Sequence, residues 1–435
     1  ALTEEENLPK ALLPVANRPM IAHVMSWLQR CGIHDITVVT PASTASKVSH
    51  VVRAAAEDAT GVEVVASDEC QGSADALRLV RDRIKNNVLV IGCDFITELD
   101  PNRFLDSYRM NKDAAVTCIF YEQADAATAK ADDFTRFVGI TPDQRLVQLT
   151  SAEASHSELD VRASLLWKFP RVRMHANLLD GHAYILNRWV LDYLTARPRI
   201  VSLREDLLPA LVKMQWKRGR MEREGVLDCK CLQHSFEQAV DNANDKDTID
   251  DSTALALSTT QLAINQHTPE IRCRVLVCRA DTCVTGRANT VPAYCELNRN
   301  AGVSTVSRVH ASAEVDPKTQ IGPDSMVGES TRMEERCSVK RSVIGAHCQI
   351  GKNVKIVNSI LMDGVSLGDN VKLDGCVICQ NVKVQERSSL KDTVVGAQVT
   401  VPAESESPTA CASVRPHLLT HMRSRCLARC STCSE

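Results

Sequence analysis

The sequence predicts a doubly wound α/β domain followed by a parallel β-helix, and three observations carry that expectation. From residue 8 to about 215, short apolar runs rich in β-branched residues alternate with helical patterns. From residue 309 to 401 an inward aliphatic, once a Met, returns every six residues with a five at each corner. Between the two, DNANDKDTIDDSTALALSTT (241–260) is acidic and polar and reads as a solvated linker.

The first half opens on NLPKALLPVANRPMI (7–21). Pro9, Pro14 and Pro19 fix the path of this loop, and Leu12, Leu13 and Val15 are expected to pack against the sheet. Each such burial is worth roughly 1.5–3 kcal/mol. PMIAHVMSWLQRCG (19–32) spaces its apolar residues three and four apart and ends on Gly32, the pattern of a helix packed on a sheet. DITVVTP (35–41), VEVVAS (62–67), NVLVIGCD (87–94) and AAVTCIFYE (114–122) are continuous apolar runs that suit strands buried on both faces. SADALRLVRDRIK (73–85) reads as a second helix, with Gly72 meeting a backbone need at its start and Ser73 placed to cap it. Asp94 ends a strand, where an Asp commonly caps the next turn. IRCRVLVCRA (271–280) alternates well enough for one more strand, while His23, His34, His175 and His182 are isolated and read as structural.

In the second half the inward phase runs from Val309 through Val315, Ile321, Val327, Met333 and Val339 to Ile344, and continues to Val401. The quartets RSVI, NSIL, GCVI and DTVV end at residues 344, 361, 378 and 395, each 17 residues after the last. Sides of six, six and five residues make one triangular coil, so each coil buries its aliphatics only against its neighbours and the ends need caps. The corners KRSVIGAHC and DGVSLGDN fix polar residues on a rigid prism and are candidate partner surfaces. The expected domains are 1–225 (α/β), 226–305 (linker and junction), 306–402 (β-helix) and 403–435 (disordered tail).

Composition narrows the function classes. A formal charge of −3 and a pI near 6.5 give no polybasic footprint for nucleic acid or anionic membrane. No apolar run reaches the length of a spanning helix, and ALTEEEN lacks the plan of a signal peptide, so a cytosolic chain is expected. The 18 cysteines are scattered and read as reduced thiols. Cys229 with Cys231, and Cys426, Cys430 and Cys433, lack the second pair that a closed zinc site needs.

An α/β domain with a hexapeptide β-helix resembles the sugar-nucleotide pyrophosphorylases, whose Pro-Lys-x-Leu-Leu-Pro-Val loop wraps a nucleoside triphosphate. NLPKALLPV is similar to that loop, with Lys10 at the signature lysine; the other reading of Lys10 is a solvated loop lysine. QGSADAL (71–77), with Gly72 and Ser73, looks like the stretch that lies against the base, and Asp94 matches the aspartate that would hold magnesium. The resemblance thus implies a nucleotidyltransferase-like, Rossmann-like domain and a left-handed β-helix. Residues 1–9 hold no counterpart of the enzymes' first strand and Gly-rich turn, and no Trp-x-Asp-Ile-Gly supplies a second magnesium carboxylate. No Glu-Lys-Pro lies near 146–160, and LDGHAYIL (179–186) stands where the enzymes carry Asn-Ala-Gly-Ile-Tyr.

A more specific resemblance is to the gamma-subunit family of eukaryotic translation initiation factor 2B. It rests on PKALLPV, GSADALR, CDFIT, FVGI (137–140), PRVRMH (170–175) and SLREDLLPALV (202–212), in that order. The resemblance implies a non-catalytic scaffold and regulatory subunit of the guanine nucleotide exchange factor acting on initiation factor 2. It implies pairing with the epsilon subunit and other subunits of that complex, no cofactor or metal, and a vestigial pocket around Lys10, Gly72, Ser73 and Asp94. The alternative is an active sugar-nucleotide pyrophosphorylase of the mannose-1-phosphate guanylyltransferase kind.

Overall fold

The computed structural model describes residues 8–55, 61–122, 136–151, 161–217, 226, 271–301 and 308–407. The chain forms two compact units that do not follow sequence order. Val24–Thr290 is one; Ala1–His23 joins Val291–Glu435 in the other.

The chain starts with a hairpin of two-residue arms, β1 (Pro14–Val15) and β2 (Arg18–Pro19), and helix α1 (Met20–Arg30). The α/β unit then runs through β3 (Ile36–Thr40), α2 (Ala45–Ala55), β4 (Val62–Ala66), α3 (Ser73–Leu79), β5 (Val88–Ile91), β6 (Phe95–Thr97), α4 (Pro101–Arg109) and β7 (Val116–Glu122). There follow β8 (Arg136–Ile140), β9 (Leu146–Ser151), a short helix α5 (Ala163–Lys168), β10 (Arg173–His175), β11 (Leu178–Leu186), α6 (Arg188–Thr195) and α7 (Leu208–Met214). β12 (Cys273–Cys278) and β13 (Thr285–Arg287) complete it. The central sheet has the order β12-β7-β11-β5, with β12 parallel to β7 and β11 antiparallel to both its neighbours.

Local chemistry explains the elements. α1 ends in a Schellman turn: Gly32 takes φ +71° and donates to Gln29 O, while Ile33 N–H reaches Leu28 O. Asp100 caps α4 through Asn102 N–H, with Pro101 at the helix start. Arg78 on α3 donates to the carbonyls of Leu194, Arg197 and Ile200, satisfying the C-terminal end of α6 and the chain after it. β7, at the centre, is buried on both faces as its sequence predicts. β3 and β4 differ: they pair in parallel only with each other and stay half-exposed. The helix predicted over 73–85 stops at Leu79 and gives way to a 3-10 turn, Arg81–Arg83. The segment 226–305, expected as linker and junction, contributes β12 and β13 to the α/β unit because CRVLVC supplies a row of buried apolar residues beside β7. The stretch 241–260 and the Cys229–Cys231 and Cys426–Cys433 groups lie outside the described residues, and the tail expected from 403 is described only to Ser407. The twelve described cysteines are all free thiols.

The other unit holds α8 (Val291–Ala301) and strands β14 to β30, which run from Glu314 to Ser407 and stack as three parallel faces. Ile344, Leu361, Ile378 and Val395 lie in register one coil apart on one face, with Ile350–Leu367–Val384 and Val339–Ile356–Leu373–Leu390 on the others. Those interior positions are buried, whereas Val309, Val315, Ile321 and Val401 near the ends are only partly so, as a stack held by neighbour interfaces demands. Each corner places a Ser, Thr, Cys or Val inward, such as Thr331, Ser342, Cys348, Val354, Ser359, Val365, Cys376 and Ser388. Ser359 N–H donates to Ser342 Oγ and Cys376 N–H to Ser359 Oγ, both at 3.1 Å, so the corners stack through side-chain hydroxyls. The residue before that inward corner residue turns left-handed, including Asn353, Asn358, Gly364, Asn370, Gly375 and Asn381 at φ 49° to 71°. Asn and Gly tolerate that conformation best.

One face departs from the polar exterior expected of the prism. Its outward residues are Met326, Val343, Ile360, Val377 and Val394, all apolar and all buried. The N-terminal hairpin and α8 account for the cover: Ala16 packs on Met326 and Val343, Asn17 Nδ2 donates to Ile344 O, and Ala16 N–H donates to Asn298 Oδ1. Tyr294 OH donates to Pro14 O at 2.6 Å. The tip of the NLPKALLPVANRP loop, expected to serve the α/β sheet, is thus part of the β-helix unit, because this one face offers an apolar surface to cover. Val343 in KRSVIGAHC is therefore not an open partner surface, while Arg341 and His347 stay exposed.

Three outcomes are expected. Ile356→Ala, at the centre of the stack, should cost about 2–5 kcal/mol, and Val315→Ala near its end less than about half of that, in denaturant melts. Leu13→Ala should likewise cost about 2–5 kcal/mol, since Leu13 is only 4% exposed. His23 is half-buried, and that burial, with the Arg18 charge adding, outweighs its bond to Val15 O and holds its pKa below the usual 6.5. The neutral ring therefore contributes stability that is full above about pH 6.5 and lost as pH falls toward the lowered folded value. Thermal melts from pH 7.5 to 5.5 should show that loss, and His23→Gln should flatten it.

Candidate functional site

The end of β5 and the β6–β13 pair together place the residue of most chemical interest. Antiparallel pairing sets Arg287 opposite Phe95, and Ala288 N–H donates to Asp94 O. Asp94 and Arg287 are thereby brought together from 193 positions apart. Arg287 Nη2 donates to Asp94 Oδ2 at 2.9 Å and its Nε to Oδ1 at 3.3 Å, a two-pronged contact. The carboxylate side chain is 3% exposed and the guanidinium 12%. Burial disfavours the charge on Arg287, but attraction from Asp94, with Asp180 adding, outweighs it and holds the pKa above its ordinary value. Asp94 therefore engages a charge partner.

His182 lies against the same pocket. A Cβ placed on Gly92 would sit 2.7 Å from both Asp94 Oδ1 and His182 Nδ1, so only glycine allows this approach. His182 sits at φ +55° in the irregular part of β11, its N–H donating to Asp180 Oδ1 and its carbonyl accepting from Gly92 N–H. Burial, with the Arg287 charge beside it, pushes the ring's pKa down, so it is neutral at pH 7. Its Nδ1 is buried without a hydrogen-bond partner. Asp180 Oδ2 accepts from Tyr184 OH at 2.5 Å, and burial followed by the Asp180 charge raises the phenol's pKa and keeps it protonated.

The other expected pocket residues do different work. Gly72 is extended, at φ −159°, and a Cβ there would meet Val201 O at 2.5 Å; its need is close packing against the chain at Val201. Ser73 does not cap α3: it is the first helical residue, and its Oγ accepts from Leu203 N–H at 3.0 Å. Both lie in the same unit as Asp94, but no described contact joins either of them to it. Lys10 belongs to the other unit, in a 3-10 turn whose carbonyl accepts from Leu13 N–H.

The magnesium ion implied for this pocket does not fit these residues. Both oxygens of Asp94 already accept from a guanidinium, and a divalent cation placed there would meet that fixed positive charge. No group of three or more His, Cys, Asp or Glu able to hold a metal occurs among the described residues. Sequence reasoning missed Arg287, since nothing in VTGRANT marks a partner so far away in the chain.

Comparison with known proteins agrees with both halves of the fold. Residues 2–128 match the family described as "Nucleotidyl transferase", and residues 307–406 the one described as "EIF2B subunit epsilon LbH domain". Translation initiation factor eIF2B subunit gamma of Schizosaccharomyces pombe is 31% identical over 346 residues, which cover 78% of this chain and 70% of the relative. The gamma subunit of Dictyostelium discoideum is 26% identical over 380 residues, 80% of this chain and 84% of that one. A mannose-1-phosphate guanyltransferase of Debaryomyces hansenii is 23% identical over 209 residues, 47% of this chain and 51% of the enzyme. With nearly four-fifths of its length aligned to a gamma subunit, and with the nucleotidyltransferase-like and β-helix domains in the expected order, the chain belongs to the family of gamma subunits of translation initiation factor eIF2B.

Proposed function

We propose that the chain acts in the cytosol as a non-catalytic scaffold and regulatory subunit, pairing with an epsilon subunit to promote GDP release from initiation factor 2. The observation that carries this reading is Arg287 on Asp94. Phosphoryl transfer needs positive charge delivered to the substrate at the moment of reaction. Here the pocket's positive charge is spent on an internal carboxylate. The relatives' names support membership of a multisubunit factor, and no described helix is long and apolar enough to cross a membrane. Lys10, Gly72, Ser73 and Asp94 serve folding in this reading, each within its own unit, with Gly72 and Ser73 anchoring the chain at Val201–Leu203.

Adding one equivalent of the chain to an epsilon-type subunit should raise that subunit's GDP-release rate, and a chain that never associates with epsilon would sink the reading. A pyrophosphate-release assay with magnesium, GTP and mannose 1-phosphate should show no turnover. Turnover lost in Asp94→Ala would instead establish the guanylyltransferase reading. Arg287→Ala should cost about 3–5 kcal/mol in denaturant melts by leaving a buried carboxylate unpaired, and Asp94→Leu with Arg287→Met should recover most of it.

A further inference from the structure

β8, β9 and β10 form a small sheet of order β10-β8-β9, with β10 at its edge. α5 anchors beside it through Leu165 and the following Phe169, which cluster with Val147. The next residues on that helix point away: Leu166 is 46% and Trp167 85% exposed, and Met174 on the edge strand is 38% exposed. The other tryptophans are buried or partly so. From Val161 to Leu179 the sequence has four Arg or Lys and no Asp or Glu, in a chain whose net charge is −3. Arg162, Arg171 and Arg173 are exposed and have no ion-pair partner among the described residues. Several other arginines of the unit do have carboxylate partners, as in Arg78–Asp75, Arg272–Asp113 and Arg287–Asp94. An indole left in water forgoes the burial that makes tryptophan worth having, and Trp, Met and Arg are the residue types enriched where proteins meet.

We propose that this surface docks an acidic face of another subunit of the same factor. Trp167 enters an apolar cleft of the partner, and Arg162, Arg171 and Arg173 meet carboxylates around it. The inference rests on the chain being a subunit of a larger factor. Charge complementarity selects the occupant: three guanidinium groups without an ion-pair partner among the described residues, around an apolar anchor, fit a carboxylate-rimmed cleft. Arginine with an exposed aromatic can also stack on single-stranded nucleic acid, but a formal charge of −3 gives the chain no polybasic footprint for a phosphate backbone.

The test uses the full chain assembled with its co-expressed partner subunits. Hydroxyl-radical footprinting read by mass spectrometry should show Trp167 and Met174 oxidised in the isolated chain and protected about tenfold in the assembly. Trp167→Ala with Arg171→Glu and Arg173→Glu should lower subunit capture roughly thirtyfold, the scale of a hot-spot loss. The melting temperature of the isolated variant should be unchanged, because these side chains are exposed. Capture should also weaken as salt rises. If the wild-type chain assembles while Trp167 stays as oxidisable as before, or if the variant is captured equally, the surface is wrong and the subunit reading stands. If the free chain binds an oligouridine and that binding is lost in Trp167→Ala, the docking reading gives way to nucleic acid. If the wild-type chain joins no subunit at all, both readings fall.

Discussion

A guanidinium fixed on a buried carboxylate sets what the α/β unit can do. Taking Asp94 and Arg287 out of water is costly, and the cost is offset only because the two groups meet with two hydrogen bonds in a nearly closed site. The pair ties β13 to the loop between β5 and β6, and so draws a late part of the sequence into the unit. The tightness is visible at Gly92, where no side chain fits between Asp94 and His182. A pocket whose positive charge is built in is a stable piece of architecture and a poor place for a divalent cation.

The β-helix obeys a different constraint. Its coils bury aliphatics only against each other, so the middle is dry and the ends are partly open. Two faces carry alternating inward and outward residues of ordinary kind. The third is apolar on both sides and has to be covered, and the hairpin β1–β2 with α8 meets that need through Ala16, Asn17, Asn298 and Tyr294. A loop that resembles a triphosphate clamp is thus held by packing and backbone hydrogen bonds that involve no phosphate. Burial of Leu12, Leu13 and Val15 is reason enough for the fold to keep it.

These two constraints describe a protein that has kept the framework of a nucleotidyltransferase while its charges are satisfied internally. Gly72 and Ser73 show the same on a smaller scale: both are engaged with the chain at Val201–Leu203. Among the described residues, Arg162, Arg171 and Arg173 near the exposed Trp167 have no ion-pair partner.

The sequence by itself determined much of what depends on neighbours in the chain, although the helix expected over 73–85 stops at Leu79 and Ser73 does not cap it. The six-six-five phase specified three parallel faces, because a coil's inward residues repeat at a fixed separation. The three- and four-residue spacing before Gly32 specified α1 and its end, and the apolar run 114–122 specified a doubly buried strand. Even the corners were legible in principle, since from Val327 to Val395 a Ser, Thr, Cys or Val follows each inward residue by three or four positions. Tertiary structure decided the rest. That Arg287 answers Asp94, that Arg145 is buried on Gln215 and Ile271 O, and that β11 brings Asp180 to Tyr184 within an irregular strand all depend on how strands are ordered in space. So does the cover of Val343 by Ala16, residues more than three hundred positions apart. Periodicity records which face of an element is buried, but not what buries it, and the choice of charge partner in this pocket is a matter of what buries it.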